Sequence, residues 1–152
     1  MKNKIIVIAA LLLMIFTMVG CSKEDDQMPF YSTDEEVFAT ETPYCELAYP
    51  TEWEKKVDTK TKEKNDSYVV SYTATIDGKE IKLFDIAFGG NKGDLLGTFE
   101  HEGETVKVYV IEHIKSLDDF EDDDRMTVGA MLDDINVIIS KLIEDYDFEI
   151  AQ

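Results

Sequence analysis

Two histidines, two cysteines and a large excess of carboxylates make up the reactive inventory of this 152-residue chain. His101 and His113 sit in no Cys-x-x-Cys, His-Glu-x-x-His, phosphate-loop or Gly-x-Ser-x-Gly context, so no catalytic set can be assembled from spacing. Neither histidine has further ligands at metal-binding spacing, and no metal site and no cofactor are expected. The run Asp118-Asp119-Phe120-Glu121-Asp122-Asp123-Asp124 is the one cation candidate. Calcium needs about six to eight converging oxygens, and the run lacks the glycine and closing glutamate of a helix-loop-helix calcium site. A solvated helix end is the expected reading. Asp85 breaks the apolar run Leu83-Phe84-Asp85-Ile86-Ala87-Phe88. Burial there would raise its pKa and mark a site; an exposed sheet face is the simpler expectation. Tyr44, Tyr49, Trp53, Tyr68 and Tyr72 form an aromatic set that is expected to be mostly core, with Trp53 the member nearest a surface. The candidate ligand-binding residues are therefore Trp53, Tyr49 and Asp85, and no residue is assigned a catalytic role.

Cys21 carries chemistry of a different kind. Lys2 and Lys4 precede an apolar stretch from Ile5 to Val19, broken only by Thr17, and Met18-Val19-Gly20-Cys21 closes it. A helix of that length spans roughly 22 Å, short of a ~30 Å hydrocarbon core, and small residues follow where a spanning helix would want charges. The run resembles a bacterial lipobox, in which a peptidase cuts before a cysteine whose sulfur carries diacylglycerol. The resemblance implies residues 1–20 as a cleaved lipoprotein signal peptide, Cys21 as the lipidated N-terminus and attachment to a membrane through that lipid.

Composition describes what would be anchored. The formal charge is −18, and loss of Lys2 and Lys4 takes it to −20. Such a surface excludes general nucleic-acid binding and adhesion to anionic lipid by basic patches, which leaves a covalent anchor as the means of attachment. With Cys21 lipidated, Cys45 has no disulfide partner. Its neighbour Glu46 has the wrong sign to activate a thiolate, so an inert buried thiol is expected. All basic residues but Arg125 are lysine, which with the lipobox points to a Gram-positive surface. Residues 21–43 read as an acidic, disordered tether, with at most a short helix through Asp34–Phe38.

The elements that must position these groups begin, on this reading, at residue 44, in a single domain over 44–152. Tyr44–Tyr49 reads as a strand, and Thr51 with Glu54 suggests a capped helical turn. Lys55 to Asp66 reads as an exposed strand or long loop. Tyr68, Val70, Tyr72, Ala74 and Ile76 alternate as a half-buried strand, Asp77-Gly78 turns, and Ile81–Phe88 returns. A two-residue loop would pair Ile76 with Lys79 and set Asp85 opposite Val70. A three-residue loop instead sets Tyr72 beside Phe84, Val70 beside Ile86 and Tyr68 beside Phe88. The latter gives one apolar face and is expected, with Leu83, Asp85 and Ser71 facing away. A second hairpin turns at Glu102-Gly103, matching Leu95, Gly97 and Phe99 to Val110, Val108 and Val106. Ser116 resembles the cap of a short acidic helix. Val128, Met131, Leu132, Ile135, Ile139, Leu142, Ile143 and Tyr146 then recur at helical spacing for about five turns. The fold class is α+β: a largely antiparallel β-sheet packed by a long C-terminal amphipathic helix.

Tyr49-Pro50-Thr51-Glu52-Trp53, a strand ending in Tyr-Pro with a tryptophan just beyond, resembles the opening of the PsbP/Mog1-like fold. The likeness extends in element order over about residues 44–146. It implies an accessory or binding protein, and no catalytic residue carries over from it. The functional expectation is a non-enzymatic binding or accessory module of the cell envelope, on the extracytoplasmic face, with an envelope protein or wall component as partner. The alternative is an extracytoplasmic hydrolase or calcium-dependent protein using Asp85 or the Asp118–Asp124 run.

Overall fold

Three tight turns organise the sheet. Asn65-Asp66, Asp77-Gly78 and Glu102-Gly103 all have positive φ at both positions, the backbone that matches the twist of two paired strands and joins them with two residues. The computed structural model describes residues 37–152, so Cys21 and the signal-peptide reading lie outside the described residues. The strands are β1 (Val37–Glu41), β2 (Glu46–Pro50), β3 (Val57–Lys64), β4 (Ser67–Ile76), β5 (Lys79–Phe88), β6 (Asp94–His101), β7 (Glu104–Glu112) and β8 (Glu149–Ile150). Single 3-10 turns cover Thr51–Trp53 and Leu117–Asp119, and two helices follow, α1 (Asp122–Asp133) and α2 (Ile135–Tyr146). Six strands form an antiparallel sheet in the order β3-β4-β5-β7-β6-β8, and β1 pairs with β2 in a separate ribbon. The α+β expectation therefore holds, with an antiparallel sheet and a C-terminal helical segment.

The β4–β5 register realises both loop alternatives. Next to the turn Ile76 pairs with Lys79, as a two-residue loop demands; farther along, Tyr72 pairs with Phe84, Val70 with Ile86 and Tyr68 with Phe88. A bulge absorbs the difference, with Leu83 as the extra residue between the Thr73–Lys82 and Tyr72–Phe84 pairs. Without it Phe84, Ile86 and Phe88 would leave the core, at about 2 kcal/mol each for side chains of that size. That sum outweighs the local loss of one ladder position. Leu83 is fully buried in the core cluster, which corrects the expectation that it faces away. The second hairpin behaves similarly. Gly97–Val108, Phe99–Val106 and His101–Glu104 pair as expected, but an irregularity at Leu96 moves Leu95 opposite Tyr109.

One face of the large sheet carries the core. Tyr72, Phe84, Ile86, Phe88 and Val108 pack there beneath β2 and the helices. β2 is buried from both sides, Leu47 and Tyr49 being fully inaccessible. Its backbone donors and acceptors need partners, and β1 supplies them along one edge. Val37 and Phe38 belong to a strand, not to a short helix, so the expected tether does not extend through residue 43; its part before Val37 lies outside the described residues. Lys55–Asp66 resolves into β3, an edge strand, and its turn.

The expected five-turn helix is interrupted at Asp134, which separates α1 from α2. The break shifts the buried stripe, so Val137 and Ile138 join Ile139 and Leu142 inside. Ser116 does cap the 3-10 turn after β7, accepting from the Asp118 amide at 3.1 Å. Gly97 is required by β8, because a Cβ there would lie 2.1 Å from the Glu149 carbonyl oxygen. Among the described residues no helix is long and apolar enough to cross a membrane.

Candidate functional site

The bulge at Leu83 also builds the site. In a regular strand residues three apart point to opposite faces. The extra residue puts Lys82 and Asp85 together on the outer face, away from the helices, and Lys82 Nζ reaches Asp85 Oδ2 at 3.0 Å. Ser71 on β4 and Ile111 on β7 are the strand neighbours of Asp85 on either side. His113 continues from β7, its amide donating to the Leu83 carbonyl at 3.0 Å, and its Nε2 lies 2.9 Å from the same Asp85 Oδ2. An ionised carboxylate only accepts, so Nε2 carries the hydrogen in this contact.

Asp85 is 6% exposed, which corrects the expectation of a solvent-facing carboxylate. Among the described residues its buried Oδ1 has no partner within hydrogen-bond geometry. Burial alone would raise the pKa, but the Ser71 hydroxyl, His113 and the Lys82 ammonium outweigh it and hold the carboxyl below its ordinary value. Asp85 is thus a fixed anion at neutral pH, a poor proton donor and a weak base. A nucleophile relay needs the imidazole between hydroxyl and carboxylate. Here the carboxylate stands between Ser71 and His113, so the arrangement is suited to holding the Lys82 ammonium in place.

Above Asp85 the outer face opens into a cavity of about 400 Å³. Thr59 faces inward, bonded to Thr40 at 3.2 Å, so the alternate residues Lys62 and Lys64 of β3 face outward and line one wall. Lys82 and Ser71 line the floor with Asp85, and Lys92 closes the rim from the loop after β5. Gly89 in that loop has φ +73°, and a Cβ there would come within 2.7 Å of the Asp66 carbonyl oxygen. The loop therefore seats directly on the β3–β4 turn, which shapes the rim.

The other candidate residues lie elsewhere. Tyr49 is buried on the helix side of the sheet, 5.4 Å from the Tyr72 ring, and its hydroxyl donates to the Met131 carbonyl at 2.6 Å. Burial, with Asp134, Tyr72 and Glu52 nearby, pushes its pKa up. Trp53 is 8% exposed, not a surface residue as expected. A buried indole N–H requires an acceptor, and Asp134 at the helix junction provides it, while Lys56 Nζ sits 5.3 Å from the ring centroid. Tyr49 and Trp53 are therefore separated from Asp85 by the sheet and share no cavity with it. Cys45 is buried, and desolvation lifts its thiol to about 12, despite a contact with the Thr42 hydroxyl and aided by the nearby Glu46 charge. That is the inert thiol expected.

The acidic run splits between the 3-10 turn and the first turn of α1, where Asp122, Asp123 and Asp124 complement the helix dipole. The Asp118 and Asp122 side chains are 88% and 98% exposed, with Arg125 at 3.8 and 3.9 Å. Among the described residues no three His, Cys, Asp or Glu side chains are grouped to hold a metal ion. His101 stands opposite Glu104 as expected, with its ring edge-on to Tyr44 at 5.7 Å.

Sequence reasoning singled out Asp85 but missed His113 as its partner and the lysines around it. The signal for the lysines was present: Lys60, Lys62 and Lys64 alternate, so they must share one face. No protein-family model matches the chain, and no curated protein or solved structure matches it either.

Proposed function

We propose that the protein is a membrane-anchored extracytoplasmic lipoprotein, held by lipid on Cys21, whose domain is a non-enzymatic binding or accessory module of the cell envelope. The cavity over Asp85 is the observation that carries the binding role: about 400 Å³, formed on the sheet face the helices leave open. Its size falls in the range of small-molecule sites. The placement of the carboxylate between Ser71 and His113 favours binding over hydrolysis, and the exposed Asp118 and Asp122 side chains lend no support to a calcium role. The address rests on Lys2, Lys4, the apolar stretch and Met18-Val19-Gly20-Cys21. The PsbP/Mog1-like likeness belongs to the same proposal and rests on Tyr49-Pro50-Thr51-Glu52-Trp53.

Metabolic labelling with an alkynyl fatty acid, followed by mass spectrometry of the mature N-terminus, tests the anchor. The expected result is a lipid-modified Cys21 at the N-terminus, with labelling lost in Cys21→Ser. An unlabelled protein, or a mature chain beginning elsewhere, overturns it. Val69→Trp, which fills the cavity from the outer face of β4, tests the binding role. Envelope material that cross-links to the native cavity should be lost in this variant, and undiminished cross-linking sinks the role assigned to the cavity.

A further inference from the structure

The charge of the cavity runs against the charge of the protein. The chain carries 33 acidic and 15 basic residues, yet Lys62, Lys64, Lys82 and Lys92 all line this one cavity, with Asp85 as its only acidic residue among the described residues. Asp85 is already engaged by Lys82 and His113 on Oδ2. Edge-strand lysines ordinarily guard against strand pairing, which accounts for Lys62 and Lys64 on β3. It does not account for Lys82 on the interior strand β5 or Lys92 in a loop. Bringing four ammonium groups around one concavity costs repulsion in the empty protein, and an anion in the cavity would relieve it. Within the lining four lysines stand against one carboxylate, which sets the sign of the local field, and charges farther than about 8 Å are screened at physiological ionic strength.

We propose that this cavity binds a phosphate-bearing ligand, a small organophosphate or a phosphorylated group of similar size. This deepens the binding-module reading and rests on it. A single carboxylate carries one charge and is best gripped by the planar fork of arginine; lysines act as point charges and suit a compact, multiply charged anion. The cavity is lined by lysine and holds no arginine. Asn65 and Asn91 along the lining add neutral donors. Asp85 is a positioning residue: buried and ionised, it holds the Lys82 ammonium over the floor.

Isothermal titration of the full chain in nonionic detergent, with pyrophosphate and glucose 1-phosphate as probes and succinate as the dicarboxylate comparator, decides the matter. Saturable binding of at least one phosphate probe is expected, tighter than succinate and weakening as salt rises. Lys62→Gln with Lys64→Gln should weaken it by about tenfold or more. Lys55→Gln, before the start of β3 and outside the cavity, should leave it unchanged. These are exposed side chains, so the variants should fold, and unchanged thermal melts would establish that. Binding of pyrophosphate alone would assign the site to free inorganic anions, and binding of glucose 1-phosphate as well would assign it to phosphorylated organic groups. Absence of phosphate binding, equal binding of succinate, or equal effects of the Lys55 and Lys62/Lys64 substitutions would each overturn the proposal. None of those outcomes bears on whether envelope material cross-links to the native cavity and is lost in Val69→Trp, so failure of the phosphate assignment and failure of the binding role remain distinguishable.

Discussion

Replacing Asp85 by Asn removes the charge beneath the cavity and leaves the shape. At neutral pH two charge-assisted contacts are affected. The Lys82 side chain is 46% exposed, so that pair contributes no more than ~0.5 kcal/mol. The His113 contact is better shielded, at 2.9 Å, and contributes about 1 kcal/mol. Asparagine retains one acceptor, which leaves a net loss of roughly 1 kcal/mol at pH 7. The pH dependence is the sharper signature. The folded pKa lies below the ordinary 3.8, so between the two values the unfolded chain binds more protons and stability rises with pH. The contribution is complete above the unfolded pKa and is lost as pH falls through the folded one. The amide in Asp85→Asn cannot titrate, so the stability gap between the proteins should close on acidification. Urea unfolding followed by fluorescence of Trp53, the chain's single tryptophan, measures this at pH 7, 5, 4 and 3. A midpoint difference of ~0.5–1 M urea at pH 7 should shrink toward zero at the lowest pH. A gap that stays constant across this range, or none at pH 7, would refute the assignment of Asp85 as a buried, paired anion.

Three further outcomes follow from the packing. Tyr49→Phe deletes the hydroxyl bonded to the Met131 carbonyl and should destabilise by about 1 kcal/mol, lowering the melting temperature by several degrees in calorimetry. Gly97→Ala places a methyl against the Glu149 carbonyl oxygen; the Ala151 amide, bonded to Leu96 O at 2.9 Å, should lose hydrogen-exchange protection while β4 and β5 keep theirs. The Cys45 thiol, lifted to about 12, should resist a disulfide reagent at pH 8 in Cys21→Ser protein and react on unfolding. Because its proton is held more tightly in the fold, stability should fall as pH rises above the unfolded thiol value. A native thiol that reacts as fast as in urea would contradict its burial.

What could be read from the residues alone was what depends on local period and local turn chemistry. Alternation from Tyr68 to Ile76, the Asp-Gly and Glu-Gly turns and the 3.6-residue stripe toward Tyr146 determined the hairpins, the helical segment and the face each strand would bury. Even the pairing of Tyr72 with Phe84 followed, because only one register collects the aromatic residues on one side. The bulge that reconciles this register with a two-residue turn was not legible: one inserted position changes no periodicity strongly enough to be seen. Everything at the site depends on it. The bulge turns Leu83 inward, sets Lys82 beside Asp85 and lets His113, 28 residues away, reach the same oxygen. Trp53 was misplaced for a related reason, since its acceptor Asp134 comes from the helix junction 81 residues later. Val37–Glu41 is a strand only because β2 needs an edge partner. Short-range pattern determines which residues can face one another. Which buried polar groups find partners, and so where a carboxylate and four lysines meet, is decided by long-range contacts that exist only in the folded chain.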